Sequence, residues 1–127
     1  MQIDIYFVFG PIAVPTLELP SREVGACVEF LGIVREMEGD RALAGLHYEA
    51  YRPMADEQMK RIFEALAVEH PCAHVTFIHR LGWIAVGETS LFLRVLAAHR
   101  GEALAFCGKA IDRMKEDVPI WKAAPPA

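Results

Sequence analysis

Cysteine is scarce and scattered in this chain. Cys27, Cys72 and Cys107 are odd in number, far apart and without a C-x-x-C spacing. That pattern leaves no disulfide framework or zinc site to read, and it fits reduced, mostly buried thiols in a cytoplasmic protein. Long apolar runs are missing too, because Glu88 and Arg94 interrupt the longest candidate before membrane-spanning length. The opening MQIDIYFVFG carries Asp4 and no basic region, so it does not read as a signal peptide. Basic charge is not in excess. A formal net charge of −4 speaks against a nucleic-acid surface, which needs clustered Lys and Arg, but allows a local basic pocket. No Gly-rich phosphate loop, Ser-His-Asp cue or H-E-x-x-H occurs. His47, His70 and His74 show no ligand spacing, so neither a metal nor a cofactor is expected.

What remains is one domain's worth of ordinary globular sequence. The 127 residues are 54% hydrophobic and 24% charged, enough to bury a core without staples. A single domain over residues 1–127 is expected. Ile3 to Phe9 reads as a strand, and Gly25 to Arg35 (GACVEFLGIVR) as a second, nearly continuous apolar one. Glu36 to Arg41 is a charged turn, after which Leu43 to Tyr51 is expected to pair back as a hairpin partner. The period then changes. Ala55, Met59, Ile62, Phe63 and Leu66 mark one face of a helix beginning near Pro53 and ending before Pro71. Val75 to Arg80 is a strand, Gly82 to Gly87 a loop holding Trp83, and Thr89 to Ala98 another strand. Ala103, Phe106, Cys107, Ala110, Ile111 and Met114 form the stripe of a second helix, which Pro119 stops. This order implies an α+β fold, a mostly antiparallel sheet with two main helices.

The residues that suggest chemistry cluster late. His99-Arg100 sits where a strand gives way to the second helix, whose first turn has free N–H groups and partial positive charge. That combination suits a phosphate or carboxylate. The plainer reading is an Arg100 that pairs with a surface carboxylate such as Glu102. Lys115 lies at the edge of the helix's apolar stripe, where lost solvation lowers a lysine's pKa and makes it useful as acid, base or nucleophile. The alternative is a lysine whose stem merely covers the core. Lys122 follows Pro119-Ile120-Trp121, an extended segment expected to pack back and bring Lys122 near Lys115. Arg35 ends an apolar strand and is either a pocket residue or a capping charge among Glu36 and Glu38. His79-Arg80 reads as structural, and Met54, Met59 and Met114 as core.

Five strings in order resemble the catalytic, or large, subunit family of molybdopterin synthase: GACVEFLGIVR (25–35), LHYEAYRPMA (46–55), VTFIHRLGWIAVGE (75–88), AAHR (97–100) and MKEDVPIWK (114–122). The resemblance implies a hammerhead-like α/β arrangement. It implies conversion of cyclic pyranopterin monophosphate to molybdopterin by insertion of two dithiolene sulfurs. The donor is the C-terminal thiocarboxylate of a small ubiquitin-like subunit, within a heterotetramer built on a homodimer of large subunits. Residue by residue, it makes Lys115 and Lys122 catalytic. Ile33, Val34, Arg35, His99 and Arg100 become substrate-binding, with Ala123 and Ala124 offering backbone groups. Phe30 and Met114 are expected to wall an apolar channel for the carrier's tail. Two departures stand out: the turn EMEGD lacks the family's usual asparagine before glycine, and WKAAPPA replaces a continuation with lysine and glutamate.

Helix length adds a constraint. Arg100 and Lys115 bracket the second helix, and at about 1.5 Å per residue they lie about 22 Å apart along its axis. One pterin monophosphate cannot touch both, so His99 and Arg100 are expected to serve the partner subunit's site. A non-catalytic anion-binding or regulatory module of the same fold, or a structural interaction domain, are the competing readings. The second lysine beyond Pro119 favours the enzyme.

Overall fold

Alternation decides the central layer. In the computed structural model, which describes residues 1–123, β1 (Gln2–Val8), β6 (His74–Arg80), β8 (Thr89–Ala97) and β2 (Ala26–Ile33) form a four-stranded sheet in the order β1-β6-β8-β2. The β6–β8 and β8–β2 pairs are antiparallel, and β1–β6 is parallel. Ile3, Ile5 and Phe7 of β1, Val75 and Phe77 of β6, and Leu91, Leu93 and Val95 of β8 point to one face. Both helices, α1 (Met54–Glu69) and α2 (Arg100–Asp117), cover that face.

The stripes read from the sequence are the ones that are buried. Ala55, Met59, Ile62, Phe63 and Leu66 of α1 meet Ala103, Phe106, Cys107, Ala110, Ile111 and Met114 of α2 over the sheet. The Phe63 and Phe106 rings stack with centroids 5.8 Å apart. On the opposite face Arg94, 6% exposed, donates to Glu29 Oε2 at 2.9 and 3.1 Å and to the Pro15 carbonyl at 2.8 Å. These bonds satisfy a buried guanidinium and pin the irregular connection between β1 and β2 against the sheet.

Two expectations are corrected in the second layer. The 82–87 stretch is not wholly loop: Gly82–Ala85 is strand β7. The segment after the charged turn does not pair back on β2. Gly45–Ala50 is β5, the centre of a separate antiparallel sheet ordered β7-β5-β9, with β9 spanning Ile120–Ala123. The turn itself forms a small ribbon, β3 (Met37–Glu38) and β4 (Arg41–Ala42), around Gly39 at φ 64°. Val34, Leu46 and Ile84 make a second, minor core under this sheet. The Pro119 segment does fold back, because β9 pairs with β5 through Tyr48↔Lys122 and Ala50↔Ile120. That return positions the site. No helix is long and apolar enough to cross a membrane among the described residues.

Candidate functional site

The end of β2, the last turns of α2 and the returning β9 enclose a cleft of about 590 Å³. Lys115 and Lys122 both line it, together with Arg35, Phe30, Ile33, Met114, Tyr48 and His79. Each arrives by a local rule. Lys115 follows Met114 on the rim of the α2 stripe. Lys122 is aimed by the β5–β9 register. Arg35 is the second residue past the end of β2, the edge strand. The expected nearness of the two lysines therefore holds at the level of one shared cleft.

Charge is balanced unevenly around it. Lys122 Nζ donates to Glu38 Oε1 at 2.5 Å, and this bond, with further help from Lys122 and Arg35 charge, holds the Glu38 carboxyl below its ordinary value. Lys115 and Arg35 form no side-chain hydrogen bond or ion pair among the described residues, and both are exposed. The exposure of Lys115 goes against the desolvated reading, one of the two that the sequence leaves open. Two cations in an open cleft suit a multiply anionic ligand.

His99 and Arg100 lie elsewhere. With Gly25, Ala98 and Gly101 they line a shallow depression of about 450 Å³ at the N-terminus of α2. Gly25 is required there, since a Cβ on it would strike the Ala98 carbonyl oxygen. The helix runs unbroken from Arg100 to Asp117, so the two pockets sit at its opposite ends. His99 and Lys115 of one chain do not line a common pocket.

Three further placements complete the set. Ile33 lines the cleft, whereas Val34 is turned into the minor core and is held by backbone bonds to Glu88 and Gly87. Ala123 ends β9 opposite His47 and is not a cleft residue. Ala124 lies outside the described residues. Phe30 and Met114 stand on the cleft wall. Glu38 and His79, which the sequence reads as a turn charge and a structural residue, also belong to this site. His79 had a signal: it is the one polar side chain in the Val75-Phe77-His79 alternation that faces the helices. Among the described residues no group of three or more His, Cys, Asp and Glu is arranged to hold a metal.

Comparison with known proteins bears on the family and the fold. The family model described as MoaE protein matches residues 11–117. The chain is 38% identical over 98 residues to the molybdopterin synthase catalytic subunit of Homo sapiens, covering 77% of this chain and 52% of that protein. It is 38% identical over 102 residues to the protein of the same name from Pyrococcus abyssi, covering 80% of this chain and 69% of that one. The X-ray structure of molybdopterin synthase from Staphylococcus aureus superposes with a TM-score of 0.83 at 30% identity, over 95% of this chain and 91% of that one. The chain spans about half the length of the mammalian relatives it matches.

Proposed function

The chain belongs to the MoaE protein family, and on that premise we propose that it is the catalytic subunit of a molybdopterin synthase, a sulfurtransferase acting on cyclic pyranopterin monophosphate. The observation that carries this reading is the convergence of Arg35, Lys115 and Lys122 on one cleft. A cyclic phosphate on a pterin needs cations for its charge and a flat, partly apolar wall for its rings. Arg35 supplies the first, while Phe30, Ile33 and Met114 supply the second.

The sulfur donor is the thiocarboxylate at the end of a small subunit's extended tail. Its sulfur attacks a side-chain carbon of the pterin and forms a C–S bond as a C–O bond at that carbon breaks, the oxygen staying with the opened phosphate ester at one carbon and leaving as water at the other. Water then cleaves the bond between that sulfur and the carrier's carbonyl carbon, so the carrier leaves as a carboxylate. A second donor repeats the step. Lys115 moves protons at the reacting carbon, and Lys122 holds the donor's carboxyl-derived oxygen as charge develops on it. Glu38 now occupies Lys122, and the donor displaces it.

Phosphate recognition by His99 and Arg100 is assigned to the second subunit of a homodimer. Each catalytic cleft is completed by the α2 N-terminus of the partner, which supplies free N–H groups and positive charge. Residues 1–127 act as one domain in this assembly. The deciding experiment mixes the purified chain with a thiocarboxylated small subunit and the pterin precursor and assays the dithiolene product. Dithiolene formation is expected. Binding of the precursor without any product would favour a non-catalytic paralogue.

A further inference from the structure

The helix-facing side of β6 is apolar except at one place. Val75, Phe77 and His79 alternate along β6, and the third of these is an imidazole only 3% exposed. It is wedged among rings: Tyr48 at 5.1 Å edge-on, Phe7 at 6.3 Å and Phe77 at 6.3 Å between centroids. An aromatic hydrocarbon would fill this niche without burying a polar group. The histidine must therefore be judged by what its two nitrogens do.

Nδ1 lies 2.7 Å from the carbonyl oxygen of Arg80. A carbonyl only accepts, so Nδ1 carries the proton. Nε2 is then a bare lone pair. It has no hydrogen-bond partner among the described residues, yet it is not a sealed orphan, a status that belongs to Arg80 Nε. Its ring lines the cleft that holds Lys115 and Lys122. Burial favours the uncharged ring, since the His79 pKa is lowered by desolvation with only partial opposition from the Arg80 carbonyl. Arg35, Lys115 and Lys122 only donate. The Ser90 hydroxyl gives its proton to the Gly32 carbonyl, and the Tyr48 hydroxyl is a rotor that donates or accepts. His79 Nε2 is the one side-chain nitrogen or oxygen of the wall fixed as an acceptor alone, which suits the N–H edge of a heterocycle.

We propose that His79 is a specificity-determining residue of this cleft, presenting Nε2 as the hydrogen-bond acceptor for a ring N–H of the bound pterin. The inference rests on the reading of the cleft as a pterin site. It assigns recognition of the heterocycle to the cleft floor and recognition of the phosphate to the cations. The fixed Nδ1–H to carbonyl bond keeps the acceptor presented before the ligand arrives, so no tautomer change is needed on binding.

The test uses the full chain labelled with 15N-histidine, titrated with the pterin precursor. The His79 Nε2 resonance, that of an unprotonated imidazole nitrogen, is expected to shift on binding, while inorganic phosphate alone leaves it in place. Calorimetry on two variants gives the second readout. His79→Phe keeps the ring volume and is expected to lose about tenfold in pterin affinity. His79→Gln, whose amide oxygen reaches the same point, is expected to recover most of it, and both variants should keep the wild-type affinity for inorganic phosphate. An unmoved Nε2 resonance in protein that binds pterin overturns the proposal, as does equal affinity of wild type and His79→Phe. A wild-type chain that binds no pterin overturns the pterin reading itself, and the two failures are told apart by that one binding curve.

Discussion

Lys122 Nζ and Glu38 Oε1, 84 positions apart in sequence, meet at 2.5 Å beside the cleft. The lysine that returns on β9 already grips a carboxylate from the β3–β4 ribbon. A carboxyl-derived donor group must compete with Glu38 for the same ammonium.

Removing that competitor is expected to help the donor. Both partners are substantially exposed, so the pair is worth about 0.2–1 kcal/mol. Glu38→Gln should therefore tighten binding of a peptide ending in Gly-Gly-carboxylate by about twofold to fivefold at neutral pH, measured by calorimetry. The pH dependence has a definite sign. The Glu38 carboxyl is held below its ordinary value by the Lys122 bond, so the pair is intact above the ordinary glutamate range and is lost as pH falls through the lowered value. The affinity ratio of variant to wild type should fall toward one in acid. A ratio that stays flat with pH, or weaker binding by the variant, removes Glu38 from this role.

Lys115→Ala separates chemistry from docking. Lys115 is exposed at the cleft and forms no side-chain hydrogen bond or ion pair among the described residues, so its loss breaks no polar contact of the fold. Turnover is expected to drop by about a hundredfold or more, in line with the loss of a proton-transfer group. Affinity for the small subunit should stay within about twofold, because charge at an open rim contributes little to it. Single-turnover sulfur transfer, followed by mass spectrometry of the carrier, checks both. An unchanged rate would move proton transfer to another group.

The core is legible enough to predict its weakest substitution. Phe63 is fully buried, between Phe77 at 6.1 Å and Phe106 at 5.8 Å. Phe63→Ala should cost about 3–5 kcal/mol, since the transfer term and the cavity term add. Urea unfolding would show the midpoint falling at nearly constant slope. A loss below about 1 kcal/mol would mean that the two helices close over the gap.

Both helices are legible because their stripes repeat over about three turns, and Met54–Glu69 and Arg100–Asp117 carry the buried residues that the spacing marks. The long strands were legible for the same reason. Strand β7 was not, since four residues that begin with glycine and expose Trp83 show no alternation to read. Pairing was the larger gap. Leu46 and Tyr48 carry a strand signal, but nothing local says that their partners are Ile84, Gly82 and Lys122 rather than β2. Glu38 looked like a turn charge because its partner lies 84 positions away. His79 was set aside as structural, although its place in the β6 alternation marks it as a polar intruder on an apolar face.

The two pockets at opposite ends of α2 lead to a prediction that no single-chain site can satisfy. If the cleft of one subunit is completed by His99 and Arg100 of the other, a subunit with Arg100→Ala and one with Lys115→Ala complement each other. In a mixed dimer one site carries both lesions and the other carries neither. Random reassortment makes about half of all dimers mixed, so about a quarter of wild-type activity should return from two inactive parents. The chains must be unfolded and refolded together so that subunits exchange, and each parent refolded alone is the control. Recovery fixes the α2 N-terminus as a donor to the neighbouring site. Its absence, in samples shown by native mass spectrometry to contain mixed dimers, would require His99 and Arg100 to act within their own chain. Some element would then have to span the helix length of about 22 Å, and the unbroken 18-residue α2 leaves it no room to bend.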